Sequence, residues 1–125
     1  MISNQILQNT IDGLKNIARA DLGIYDTEGM IIAATFEETS AYKDEVVAFA
    51  DSAAENQEMN GCQFFRVSDE SRVEYILIVK GSGNDIYIIG KMAAFQIQSL
   101  LVAYKERFDK ENFIKNLLLD NLLLV

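Results

Sequence analysis

The chain has no histidine, no proline, no tryptophan and a single cysteine, Cys62, among its 125 residues. Without histidine, neither a His-based catalytic triad nor a histidine-ligated metal site can be assembled. One thiol forms no internal disulfide and no four-cysteine zinc site, so Cys62 is expected as a buried core thiol. Lack of proline leaves long helical patterns uninterrupted. The N-terminus lacks a basic region followed by an apolar run, so no signal peptide is read. No apolar stretch of about 18–20 residues stands out, so no membrane span is expected. Basic residues are outnumbered, 11 Lys+Arg against 19 Asp+Glu, a net charge of −8. That balance repels phosphate backbones and anionic lipid surfaces. The expectation is a cytoplasmic chain with no direct nucleic-acid contact and no membrane contact.

What is present is globular. Half the residues are apolar and 24% are charged, and the length fits one domain. Ile6, Leu7, Ile11, Leu14, Ile17 and Ala18 recur at helical spacing over Ser3–Arg19, with Ser3 as N-cap. Asp21–Tyr25 and Met30–Thr35 read as strands around the turn Asp26-Thr27-Glu28-Gly29. A middle helix is expected after Thr39-Ser40, with Val46, Val47, Phe49, Ala50, Ala53 and Ala54 on its apolar stripe and Asn60-Gly61 as its C-cap. Cys62–Ser68, Val73–Lys80 and Asp85–Gly90 read as three more strands. From about Met92 to Val125 no breaker appears, which predicts one long helix. Lys105–Asp109, Glu106–Lys110 and Arg107–Glu111 are opposite charges four apart, which favour helix there. Phe95, Leu100, Leu101, Tyr104 and Phe108 are expected to cover the sheet.

Short turns within each strand group make neighbours antiparallel, and the simplest closure sets the first strand beside the last. The predicted fold class is α+β: a five-stranded antiparallel sheet of order 2-1-5-4-3 with an N-terminal, a middle and a long C-terminal helix. That layout resembles PAS, GAF and profilin-like domains.

Residues 113–125 are apolar on nearly every side of a helix. Phe113, Ile114, Leu117, Leu118 and Leu122 are therefore expected to be covered by something, and a homodimer through terminal helices is the expected partner. The helix from about residue 105 is read as continuing toward an output domain.

No chemistry is readable elsewhere. Gly81-Ser82-Gly83-Asn84 has neither a Gly-Lys-Ser/Thr sequence nor a following helix, so it fails as a phosphate loop. The carboxylate pairs sit in turns and helix starts and lack calcium-loop spacing. No catalytic residue, cofactor or metal is assigned. The candidate ligand-binding residues are Arg66, which shares a strand face with Cys62 and Phe64, and the strand tyrosines Tyr25, Tyr75 and Tyr87.

The hairpin Leu22-Gly23-Ile24-Tyr25-Asp26-Thr27-Glu28-Gly29-Met30-Ile31-Ile32-Ala33, after the helix containing Ile6–Ile11, resembles the opening of the sugar-diacid recognition domain of bacterial CdaR/PucR-type transcriptional regulators. Phe108–Leu118 is similar to the linker that follows such domains. The resemblance implies a single sensor-like domain over residues 1–125 that binds a small anionic metabolite. Where that family carries a histidine-containing stretch after its first hairpin, this chain has Phe36-Glu37-Glu38-Thr39-Ser40-Ala41-Tyr42. Two other readings are a homodimerisation or scaffold module with a filled core, of roadblock or profilin-like type, and an enzyme.

Overall fold

The computed structural model describes residues 2–69, 72–81 and 83–124, with side chains as far as residue 119. Leu122, expected on the dimer surface, therefore lies outside the described side chains, and Glu70, Ser71 and Ser82 lie outside the described residues.

The N-terminal helix α1, Asn4–Ala18, starts where Ser3 Oγ accepts the Ile6 N–H at 3.3 Å, and ends on Arg19 in the left-handed region at φ 56°. Leu7 and Ile11, one turn apart, are its buried stripe. Strands β1 (Asp21–Tyr25) and β2 (Ile31–Ala34) form the expected hairpin. A 3₁₀ turn, Thr39–Tyr42, leads into α2, Lys43–Asp51, with Asp44 and Glu45 at its positive end. Then come β3 (Asn56–Met59), β4 (Cys62–Ser68), β5 (Val73–Lys80) and the long helix α3, Ile86–Leu124.

The sheet order is β2-β1-β5-β4-β3, with every neighbouring pair antiparallel. The expected order and fold class hold, but two elements differ from their sequence reading. Asn56–Met59 is not the end of the middle helix. It is a polar edge strand, and Asn60-Gly61 is not a C-cap but the two-residue turn of the β3–β4 hairpin. Both turn residues have positive φ, 52° and 77°, as a type I′ turn requires. The predicted strand Asp85–Gly90 is instead the start of α3. Its β-branched run favours strand locally. But Ile86 and Ile89 are half-buried, Gly90 and Ala93 buried, and Tyr87 and Ile88 exposed, which is helical periodicity toward the sheet.

Alternation along the strands splits the core in two. On one face, α1 and α3 cover Leu22, Ile24, Phe65, Val67, Leu77 and Val79. On the other, α2 covers Tyr25, Phe64, Ile76 and Ile78, with Val46 and Phe49 facing down from the helix. Central β5 supplies buried residues to both layers, which explains its continuous apolar run.

Candidate interaction surface

Arg66 stands in the cross-strand row Tyr25–Ile76–Arg66 on the α2 face. Its Nε donates to the Ala54 carbonyl at 2.6 Å and Nη1 to the Ala50 carbonyl at 3.2 Å. Nη2 donates to the Phe49 carbonyl at 2.7 Å, to the Ser52 Oγ at 3.2 Å and to the Ser52 carbonyl. The guanidinium also lies 4.8 Å from the Phe49 ring centroid. The last carbonyls of a helix lack partners within the helix. Arg66 supplies them here, so its donors are spent on fixing α2 to the sheet.

The three tyrosines are dispersed. Tyr25 is buried under α2 and donates its hydroxyl to the Thr39 carbonyl at 2.6 Å. Tyr75 is buried on the opposite face, in the α1/α3 layer. Tyr87 belongs to the first turn of α3, its ring 5.9 Å from that of Phe65. Arg66 and Tyr25 share a face, but the four residues do not line one cavity.

Near the end of the α2 face, Lys80 lies between two rings, its Nζ 4.5 Å from the Phe36 centroid and 5.0 Å from that of Tyr42. Its hydrogen bond with Tyr42 raises its pKa. Beside it, burial pushes the Cys62 thiol up, and desolvation pushes the Tyr25 hydroxyl up to about 12. A tyrosine titrates near about 10 when unfolded. The folded state thus holds the Tyr25 proton more tightly. The resulting stability is fully present below about pH 10 and is lost as pH rises toward 12. The urea midpoint should fall steadily above pH 10, with a smaller loss from Cys62 beginning nearer pH 9, and Tyr25→Phe should flatten the upper part of the curve. Equilibrium urea titrations from pH 8 to 11 check this.

α3 has two unlike halves. Ala93, Ile97 and Leu101 are buried against the sheet, with Leu100 and Tyr104 packed beside them. Leu100, Leu101 and Tyr104 thus cover the sheet as expected, whereas Phe95 and Phe108 do not, being 72% and 55% exposed. Ile88 and Met92 are exposed on the same outward face as Phe95. Sequence reading places Ile88 in a strand and Phe95 on the sheet, and so misses this outward face. The spacing of four and three along Ile88, Met92 and Phe95, read as helix, is the signal that finds it. Two grooves border Phe95. One, of about 570 Å³, includes Asn56, Phe65, Arg66 and Lys91 in its lining. The other, of about 350 Å³, is lined by Phe95, Gln98, Ser99, Val102, Ala103 and Glu106.

Beyond Phe108 the helix has no buried residue as far as Leu119. Phe113 is 68% exposed, and Ile114, Leu117, Leu118 and Leu119 are about half exposed. Of the three expected charge pairs, Arg107–Glu111 forms at 3.2 Å, whereas no ion pair joins Lys105 to Asp109 or Glu106 to Lys110. Contrary to expectation, α3 from Ile86 to Leu119 is long and apolar enough, by length and composition alone, to cross a membrane.

No protein-family model matches this chain, and no curated protein matches its sequence. Among solved structures it is similar to Myxococcus xanthus MglB, with a TM-score of 0.55 at 16% sequence identity, over 82% of this chain and 94% of that one. This overturns the resemblance to the sensory domain of CdaR/PucR-type transcriptional regulators and, with it, the reading as a transcription-regulator sensor. The hairpin that carried the resemblance has a local cause. Asp26 Oδ1 accepts the N–H groups of Glu28 and Met30, both at 2.9 Å, and Gly29 takes φ 86°. Any hairpin needing this turn selects the same Asp-x-x-Gly pattern. What the likeness to MglB shows is the fold: a five-stranded antiparallel sheet between helices, of profilin-like type.

Proposed function

We propose that this chain is a non-catalytic homodimerisation or scaffold module acting in the cytoplasm, with residues 1–125 as one domain and the helix from about residue 105 as its contact arm. The observation that carries the reading is the projecting half of α3, with Phe113, Ile114, Leu117 and Leu118 exposed side by side. Contiguous apolar surface of this kind marks an interaction site. The filled core agrees with it: both faces of the sheet are closed by packed side chains, and Arg66 and Tyr25 are committed to the chain's own carbonyls.

Light scattering coupled to size exclusion should give twice the mass expected from the sequence at micromolar concentration. The double variant Leu117→Asp/Leu118→Asp should weaken association by at least about 100-fold, since each buried leucine is worth about 1.5–3 kcal/mol. An unaltered circular-dichroism melt would show that the body stays folded. A monomer mass for the unmodified chain at every concentration would refute the reading.

A further inference from the structure

The outward face of α3 runs from one half of the helix to the other without a break. Ile88, Met92, Phe95, Ser99, Val102 and Glu106 follow at steps of four and three residues, and all but half-buried Val102 are exposed. Lys110, Phe113 and Leu117 continue the same line, also exposed. Steps of four and three keep residues on one side of an α-helix. The line is apolar toward both ends and charged in the middle, where Glu106 and Lys110 carry opposite signs. Neither has a hydrogen-bond or ion-pair partner among the described residues.

We propose that two copies of this chain pair through α3 in antiparallel orientation, the projecting half of each helix lying on the outward face of the other's first half. The two-fold axis passes level with Phe108, and Glu106 of each copy faces Lys110 of the other. This rests on the dimerisation reading above and specifies its geometry.

Residues whose numbers sum to 216 then lie at the same height. Glu106 meets Lys110 twice, once on each side of the axis. Phe113 falls against Ala103 and Leu117 against Ser99, so the exposed side chains of the arm enter the 350 Å³ groove beside Phe95. Residues 97–119 of each copy overlap, a contact about 35 Å long at 1.5 Å per residue. A parallel pairing would set Glu106 against Glu106 and Lys110 against Lys110, placing like charges in a desolvating contact. Complementary charge fixes orientation in this way. The outward face is free to receive a helix because the opposite face, with Ala93, Ile97 and Leu101, is already on the sheet.

A lipid bilayer suits the same helix less well. Its most apolar stretch lies before the charged run Lys105–Glu111, where Ala93, Ile97 and Leu101 are already packed on the sheet and not available to lipid.

The test uses the full chain. Glu106→Lys and Lys110→Glu should each weaken self-association about tenfold, and mixing the two variants should give heterodimers in preference to either homodimer. Spin labels on Gln98→Cys or Leu119→Cys, in a Cys62→Ser background, measure orientation. Antiparallel pairing puts each pair of labels about 30 Å apart along the axis, whereas parallel pairing puts both close together. Dimers with a label separation near 30 Å and preferred heterodimers support the proposal. Dimers with close labels, or with no response to either charge reversal, overturn the geometry while leaving dimerisation standing. A monomeric unmodified chain overturns both. Flotation of the chain with phosphatidylcholine vesicles in place of dimers would also overturn it.

Discussion

Replacing Arg66 with alanine should lower the unfolding free energy by about 3–5 kcal/mol, the range of a lost buried polar network. The side chain makes five hydrogen bonds to the segment that ends α2 and leads into β3. Each bond from a charged donor contributes about 1.5–3 kcal/mol, although bonds sharing one donor group do not add. Without Arg66, the carbonyls of Ala50, Ser52 and Ala54 lose this donor in a part-buried site, while that of Phe49 keeps its bonds from the Ser52 N–H and Oγ. Phe49 also loses the cation above its ring. Arg66→Lys should recover less than half of the loss, because one ammonium cannot reach carbonyls spread around a planar fork. Urea unfolding followed by circular dichroism measures all three chains. A loss below about 1 kcal/mol for Arg66→Ala would mean that α2 is held by its apolar stripe alone.

Gly90→Ala should destabilise the fold by about 2 kcal/mol, although alanine is the better helix former by about 1 kcal/mol. Gly90 lies where α3 comes closest to the sheet. A Cβ built there falls 2.1 Å and 2.5 Å from two ring carbons of Phe65, which is itself buried. The ring is confined between helix and strand, so the helix must lift or Phe65 must leave its position. Gly13→Ala is the control. Gly13 is also helical, but nothing lies within 4 Å of its added Cβ, so the same change there should stabilise by about 0.5–1 kcal/mol. Opposite signs at the two glycines, read from urea midpoints, are the expected result. Adding Phe65→Leu to Gly90→Ala should relieve part of the loss, if the clash is its cause.

Much of the fold was legible because periodicity and turn chemistry agreed. Helix α1 was readable from its cap and apolar stripe, β1–β2 from an Asp-x-x-Gly turn, and β5 from its continuous apolar run. The errors fell where local preference and tertiary context pulled apart. Ile86-Tyr87-Ile88-Ile89 favours strand by residue type, but β5 already has a neighbour on each side, and these residues serve better by packing as a helix above it. Asn56-Gln57-Glu58-Met59 has little strand character, and only Asn60-Gly61 betrayed the hairpin. The interaction surface was half legible. Leucines near the C-terminus were visible as uncovered, whereas Phe95 was expected on the sheet and Ile88 in a strand, so the outward face they share with Met92 shows only in the structure. Arg66 stood out in the sequence as an unusual residue on an apolar face, but no sequence pattern shows that its donors end on carbonyls 12–17 residues away.

The short strand β3 has a consequence for how far assembly can proceed. Only four residues long, with Gln57 and Glu58 exposed to water, it presents a brief and polar rim. A rim of that kind is a poor seed for the endless strand-on-strand stacking that produces fibrils. Association through a helix around a two-fold axis, by contrast, is closed and stops at two copies.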